Sequence, residues 1–306
     1  MTLTHSEVFE KHLGRAGPAS LIDGEWVDGS GGEITVEDPE TGRTAFVYAD
    51  GGREAAAAAL DAAEAGGAAW RGLTASARAE VLWTASRLVR ERSEALAELE
   101  AVSAGKPIRD TRVEVARVAE MLAYYAGFAD KLTGDVVPVP TSHLNIVTRE
   151  PLGTIVQLTP WNAPVFTAGW QIAPALAAGN AVVLKPSELT PASSLALARI
   201  VHEAGVPPGA LNVVAGFGTT TGERLVSDAR VGKVVFIGSV ATGRRVAAAA
   251  AAAGRPALLE LGGKSANIVF ADGDLARAAK AAQAAIFAAA GQSCTAGSRL
   301  LVERPA

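Results

Sequence analysis

The chain has 306 residues, 49% hydrophobic and 20% charged, the make-up of an ordinary globular protein near the size at which single cores tend to split, so two domains or one domain with appendages are expected. A net charge of -4 gives no electrostatic case for nucleic acid or an anionic membrane surface, and no apolar run approaches the roughly 18 residues of a spanning helix. A single cysteine excludes an internal disulfide and favours a cytoplasmic setting.

The first residues, Met1 to Ala16, mix His5, Glu7, Glu10, Lys11 and His12 and lack the apolar core of a signal peptide. The four histidines, His5, His12, His143 and His202, are scattered without metal-ligand spacing, so no metal site is expected. Ile22 to Val27 is a short apolar/polar alternation followed by Asp28-Gly29-Ser30-Gly31-Gly32, and Ile34 to Val36 and Ala45 to Tyr48 follow, separated by Asp38-Pro39 and Thr41-Gly42. They read as one small structural antiparallel meander. From Arg53 the period becomes helical. Glu54 to Ala65 is alanine-rich. A second helix opens at Thr74, carries Leu82, Leu88, Val89, Leu96 and Leu99, and ends at Gly105-Lys106-Pro107; a third spans Arg109 to Leu132. No chemistry is apparent in this helical layer. Gly134 to Thr148 alternates again, but Pro138 and Pro140 make it an edge or a projecting hairpin, which needs a partner.

Beyond Pro151-Leu152-Gly153 the pattern is strictly alternating. Strands are expected at Thr154 to Leu158, Ala181 to Leu184, Leu211 to Val214, Lys233 to Ile237 and Ala257 to Leu259. Helices lie between them at Ala163 to Ala178, Ala192 to Ala204, Thr221 to Asp228 and Thr242 to Ala253. Strands apolar on both faces, alternating with helices, specify an α/β fold with an open parallel sheet. A second strand–helix unit starts at Ala266 to Phe270 and Asp274 to Ala290, with a further strand at Arg299 to Val302.

Open parallel sheets bind ligands at the carboxyl ends of their strands. Those ends carry Thr159-Pro160-Trp161-Asn162, then Lys185-Pro186-Ser187-Glu188, Gly216-Phe217-Gly218, Gly238-Ser239 with Gly243, and Glu260-Leu261-Gly262-Gly263. The Gly238 to Gly243 stretch opens a helix whose amides suit a pyrophosphate, although a capped helix start explains it as well. Lys185 and Glu188 are placed to grip ribose hydroxyls, and a carboxylate there disfavours a 2′-phosphate; a solvated charged loop is the alternative. Cys294 sits among Gly291, Gln292, Ser293 and Thr295. A lone cysteine is commonly a small buried hydrophobe, but these neighbours suit an exposed turn and a nucleophile. Glu260 suits a general base and Asn162 an oxyanion donor.

Together the motifs resemble the aldehyde dehydrogenase superfamily over nearly the whole chain. Pro160-Trp161-Asn162, Lys185 to Glu188, Phe236 to Ser239 with Gly243, Glu260 to Lys264 and Gly291 to Cys294 occur in the family's order, and the interval from Glu260 to Cys294 matches as well. The resemblance implies a Rossmann-like cofactor domain and thiol-based oxidation of a small-molecule aldehyde to its acid with NAD, less favourably NADP. Cys294 would be the nucleophile, Asn162 the oxyanion donor and Glu260 the base that activates water. Trp161, Lys185, Ser187, Glu188, Gly218, Gly238, Ser239, Gly243 and Leu261 would bind the cofactor. Ile237 departs from a frequent threonine, and Ala163 from a frequent bulky aromatic, which would widen the substrate entrance. The implied division is residues 1–133, strands and helices packed on the cofactor domain; 134–150, a bridging hairpin for a homo-oligomer; 151–263, the NAD-binding domain; and 264–306, the beginning of a catalytic domain. The family pattern continues past Ala306, with a Glu-x-Phe-Gly-Pro motif and a terminal strand. A truncated chain that binds NAD weakly, turns over poorly and serves assembly is therefore the alternative. Transfer of the acyl group to coenzyme A or phosphate, or simple esterase action, is a third.

Overall fold

The computed structural model describes residues 5–305. A short helix α1 (His5–Leu13) precedes β1 (Ser20–Ile22) and β2 (Glu25–Val27). Asp23 and Gly24 between these strands have φ of 50° and 83°, the left-handed pair of a two-residue hairpin turn. Ile22 to Val27 is therefore two strands rather than one. The expected single meander is also split: β3 (Glu33–Glu37) and β4 (Thr44–Ala49) pair only with each other, while β1 joins the main sheet through Leu21 opposite Val213.

Four helices follow: α2 (Gly52–Gly72), α3 (Ala75–Glu91), α4 (Ser93–Ala104) and α5 (Ile108–Ala126). The single helix expected from Thr74 to Gly105 breaks at Arg92, which has φ -107° and ψ 18° and whose guanidinium forks onto Glu203. No glycine or proline marks the break, so the continuous leucine pattern hid it. The helix expected to reach Leu132 stops at Ala126. The projecting hairpin forms from β5 (Asp135–Val137) and β6 (Asn145–Val147), exposed along its whole length.

The alternating half gives β7 (Thr154–Leu158), α6 (Pro164–Ala177), β8 (Ala181–Lys185), α7 (Ala192–Glu203), β9 (Leu211–Val213), a π-turn (Gly218–Gly222) running into α8 (Glu223–Ser227), β10 (Val231–Gly238), α9 (Val240–Ala252) and β11 (Ala257–Leu261). The sheet order is β11-β10-β7-β8-β9-β1-β2, parallel from β11 to β9 and antiparallel at the β1–β2 edge. Both faces are covered. On β8, Val182 and Leu184 pack with α3 to α7, and Ala181 and Val183 pack with α2, α8 and α9. The two-residue alternation of a central strand thus fills two cores. A separate parallel pair, β12 (Ala266–Val269) and β13 (Arg299–Val302), flanks α10 (Leu275–Phe287). Asp274 caps α10 by accepting from the Arg277 amide, and the helix buries none of its residues. Among the described residues no helix is long and apolar enough to cross a membrane, and no cluster of three or more potential metal ligands occurs.

Candidate active site

The carboxyl ends of β7, β8, β10 and β11 open on one cavity of about 1290 Å³, the position at which an open parallel sheet offers a crevice. Its walls bring the three candidate reactive groups together: Asn162 after β7, Glu260 near the end of β11 and Cys294 before β13. Cys294 is exposed, so the buried-hydrophobe alternative is excluded. Lys185, Ser187 and Glu188 line the same cavity at the end of β8, Gly238 and Ser239 at the end of β10, Leu261 on β11, Trp161 after β7 and Gly218 after β9.

Gly243 alone among the proposed cofactor residues does not reach it. It is buried in α9, and a Cβ there would lie 2.5 Å from Leu261 Cδ2. Its small size lets α9 approach β11. Gly238 is constrained in the same way, since a Cβ would meet the Phe236 ring at 2.6 Å. Ala163 and Ile237, the two departures from the family pattern, both line the cavity, as do Phe166 and Trp170, whose rings are tilted at 45° with centroids 5.9 Å apart.

The segment that carries Cys294 is held in an unusual backbone. Ala289, Ala290 and Gly291 have φ of 50°, 58° and 77°. Left-handed alanine costs on the order of 1–2 kcal/mol per residue, so neighbouring contacts must impose it. The Ala289 amide donates to Asp110 Oδ2 at 2.9 Å, Gln292 Nε2 to the Ala104 carbonyl at 3.3 Å, and Asn162 Nδ2 to the Gln292 carbonyl at 2.7 Å. Asn162 therefore ties the loop after β7 to the loop that carries Cys294 with one amide hydrogen, and its second amide hydrogen has no protein acceptor among these contacts.

The loop before α6 is itself anchored from the helical layer. Lys106 Nζ donates to the Asn162 carbonyl at 3.0 Å, to Glu100 Oε1 at 2.8 Å and to Glu114. Glu100 Oε2 accepts from the Val165 amide at 3.2 Å, in the first turn of α6, and from Ser193 Oγ at 2.5 Å. The lysine and Glu100 side chains are fully buried, and burial raises the Glu114 carboxyl above the usual range. Sequence reading assigned no chemistry to these helices. The available signal was Glu100, an acid at helical spacing from Leu96 in an apolar stripe, followed by Lys106 between a glycine and a proline.

The opposite end of the cavity is polar and partly basic. Lys185 Nζ is buried, donating to the Pro186 carbonyl at 2.8 Å and to Glu188 Oε2 at 3.3 Å, and burial lowers its pKa. Ser239 caps α9, its Oγ accepting from the Thr242 amide at 3.2 Å, so the positive end of a thirteen-residue helix opens on the cleft. A Cβ at Gly218 or Gly262 would meet nothing within 4 Å, and two buried wall atoms, Thr159 Oγ1 and Gln292 Oε1, have no hydrogen-bond partner among the described residues. An elongated ligand with an anionic centre and hydroxyls at one end fits these donors and acceptors.

The model of the aldehyde dehydrogenase family matches residues 26–306. The betaine aldehyde dehydrogenase of Bacillus subtilis is 41% identical over 288 residues, covering 92% of this chain and 59% of that protein. That of Cereibacter sphaeroides is 45% identical over 298 residues, covering 95% and 60%. Among solved structures, PnpE in complex with nicotinamide adenine dinucleotide superposes with a TM-score of 0.90 at 43% identity, over 94% of this chain and 59% of that one. The Staphylococcus aureus betaine aldehyde dehydrogenase in complex with NAD+ gives 0.92 at 33% identity, over 98% and 60%. The chain thus spans about three-fifths of the length of these relatives. With the motifs in order, the fold superposed and the match running over most of its residues, the chain belongs to the aldehyde dehydrogenase family.

Proposed function

We propose that this chain carries the NAD site and reactive cysteine of an enzyme that oxidises an aldehyde to a carboxylic acid. The observation that carries the reading is the single cavity shared by Cys294, Glu260 and Asn162 with Lys185, Glu188 and the start of α9. NAD bound there supplies the hydride acceptor. Lys185 and Glu188 would hold the adenosine ribose, the carboxylate disfavouring a 2′-phosphate, and Ser239 with the α9 terminus would hold the diphosphate.

The Cys294 sulfur, as thiolate, adds to the aldehyde carbon, and the carbonyl oxygen becomes an oxyanion. The free amide hydrogen of Asn162 and the main-chain amide of Cys294 stabilise that charge. As the hydride leaves the same carbon, the oxyanion collapses to a thioester on Cys294. Glu260 then takes a proton from water, the resulting hydroxide adds to the thioester carbonyl, and the carbon–sulfur bond breaks to give the acid and the free thiolate. Aldehyde, NAD+ and water are consumed; carboxylic acid, NADH and a proton are formed. Ala163 in place of a large side chain leaves room beside Phe166 and Trp170 for the substrate. The exposed β5–β6 hairpin, with Val136 71% and Leu144 75% exposed, suits an assembly edge between copies.

The test is aldehyde-dependent NADH formation by the purified protein. The reading expects it in the wild type and none in Cys294→Ala. Formation that survives this substitution refutes the thiol route.

A further inference from the structure

We propose that Asp50, at the end of β4, is a positioning residue for the adenosine end of the cofactor cleft. The inference rests on the cofactor reading above and extends it to a part of the chain that supplies no cavity-lining residue. Asp50 is 2% exposed and gathers neutral donors on both oxygens. Its Oδ1 accepts from the Phe217 amide at 2.9 Å, Thr221 Oγ1 at 2.9 Å and the Gly52 amide at 3.1 Å; its Oδ2 accepts from Thr220 Oγ1 at 2.5 Å. Three of these four donors belong to the segment from Phe217 to Thr221, and Phe217, Gly218, Thr219 and Gly222 line the cleft.

Phe217 also packs on the small core of Ile34, Val36 and Tyr48, and Thr221 is buried, but Asp50 supplies the charged acceptor that the segment's own donors converge on. Gly218 to Gly222 is a π-turn, a rare geometry, built from three threonines between two glycines, residues of low helix propensity. Gly216 must be glycine because a Cβ would lie 2.2 Å from Asp50 Oδ1 and 2.3 Å from Thr221 Oγ1. Asp50 is itself pinned: its amide donates to the Gly32 carbonyl at 2.8 Å and its carbonyl accepts from the Gly31 amide at 2.8 Å. Two residues earlier, Tyr48 donates its hydroxyl to the Glu188 carbonyl at 2.8 Å. The β3–β4 hairpin therefore holds both walls of the ribose and adenine end, the Glu188 loop through Tyr48 and the Phe217–Thr221 segment through Asp50. Burial alone would raise the Asp50 carboxyl, but the bonds from Thr220, Gly52, Phe217 and Thr221 outweigh it and keep it below the usual carboxylate range, so it stays a charged acceptor at neutral pH.

Calorimetric titration with NAD and with AMP, paired with hydrogen-exchange mass spectrometry of nucleotide-free protein, tests this on wild type, Asp50→Leu, Asp50→Asn and Thr220→Val. Asp50→Leu should weaken NAD and AMP alike by about tenfold or more, the order expected when a charge-assisted set of hydrogen bonds to a binding loop is lost. Exchange should rise in residues 216–222 and stay unchanged in β7 and β8. Asp50→Asn should recover most of the affinity, because its Oδ1 can accept the same three bonds. Thr220→Val, which deletes a single bond on the loop side, decides the matter if Asp50→Leu does not fold; a weakening of about threefold is expected. Wild-type affinity in Asp50→Leu or in Thr220→Val, or unchanged exchange in 216–222, overturns the proposal. A wild-type chain that binds neither nucleotide refutes the cofactor reading instead, and the exchange comparison still decides whether Asp50 holds the segment.

Discussion

Replacing Lys106 by methionine removes the cation between two carboxylates and tests how much the helical layer's buried ion cluster, which also holds the Asn162 carbonyl, contributes to stability. In the wild type, Glu100 and Lys106 are fully buried side chains 2.8 Å apart, and Glu114, 19% exposed, completes the triad. Methionine matches the stem of lysine in length, so little packing is lost. What remains is a buried Glu100 whose acceptors keep two donors, the Val165 amide and Ser193 Oγ, and no compensating charge. Breaking a buried pair from one side costs about 3–5 kcal/mol, and the surviving donors place the expectation near the lower end. Urea unfolding at neutral pH measures it as a shift in midpoint at unchanged slope. The pH dependence has a definite sign. With the cation gone, the Glu114 carboxyl, which burial already raises above the usual range in the wild type, loses the charge that opposes that rise and is raised further. Groups raised in this way are harmless when protonated and cost stability as pH rises through the folded pKa. The gap between variant and wild type should therefore narrow on acidification, and the double variant Glu100→Gln/Lys106→Met should recover much of the loss at neutral pH. A loss below about 1 kcal/mol, or a gap that does not vary with pH, would refute the reasoning.

Glu260→Gln should leave NADH formation in the first turnover intact and slow steady-state release of the acid by about 10²–10⁴-fold, a stopped-flow burst followed by a weak steady rate; loss of the burst itself would place Glu260 in the earlier step. Gly169→Ala should destabilise by about 1–3 kcal/mol in urea, because a Cβ would lie 2.6 Å from Cγ1 of Val118, a stiff and fully buried side chain of α5. The Asp228 carboxyl is held well below the usual range, chiefly by the Arg230 guanidinium, with the Arg230 amide and Arg224 adding to it. Its stabilisation is present above the unfolded carboxyl pKa and lost as pH falls toward the folded one, so Asp228→Asn should cost about 1.5–3 kcal/mol at neutral pH and flatten the acid limb of a stability profile. Cys294→Ala, at an exposed position, should change stability by no more than about 0.5 kcal/mol and leave nucleotide titration unchanged.

The sheet was legible because each buried strand is short, apolar and followed by a glycine or polar turn. β7, β8 and β9 fall within two residues of where the pattern puts them, as do the more exposed β11 and, in the separate pair, β13, and the parallel order follows from the alternation with helices. The misreadings have local causes. Asp23-Gly24 falls within the apolar/polar alternation from Ile22 to Val27, so a hairpin looked like one strand. Arg92 breaks a helix without a breaker residue, because the apolar faces of α3 and α4 both continue the leucine period. At the site, motif residues at strand ends converge as expected because topology alone places them there. Asp50, Tyr48, Glu100 and Lys106 were not legible as site-supporting residues. Each acts through a contact more than fifty positions away in sequence, from Lys106 to Asn162 at the nearest to Asp50 with Phe217 and Tyr48 with Glu188 further off, and no local period encodes such a pairing. Gly243 shows the converse: a motif glycine that reads as a ligand contact is used to bring α9 against Leu261.

The central claim is that the sulfur of Cys294 carries the acyl group between hydride loss and hydrolysis. The most direct measurement is peptide mapping by mass spectrometry of Glu260→Gln protein quenched after mixing with an aldehyde and NAD. The account predicts an added acyl group on the Gly291–Gly297 peptide at Cys294, in proportion to the NADH formed and absent without NAD. NADH accumulating with Cys294 unmodified, or the acyl group found on another residue, would contradict it.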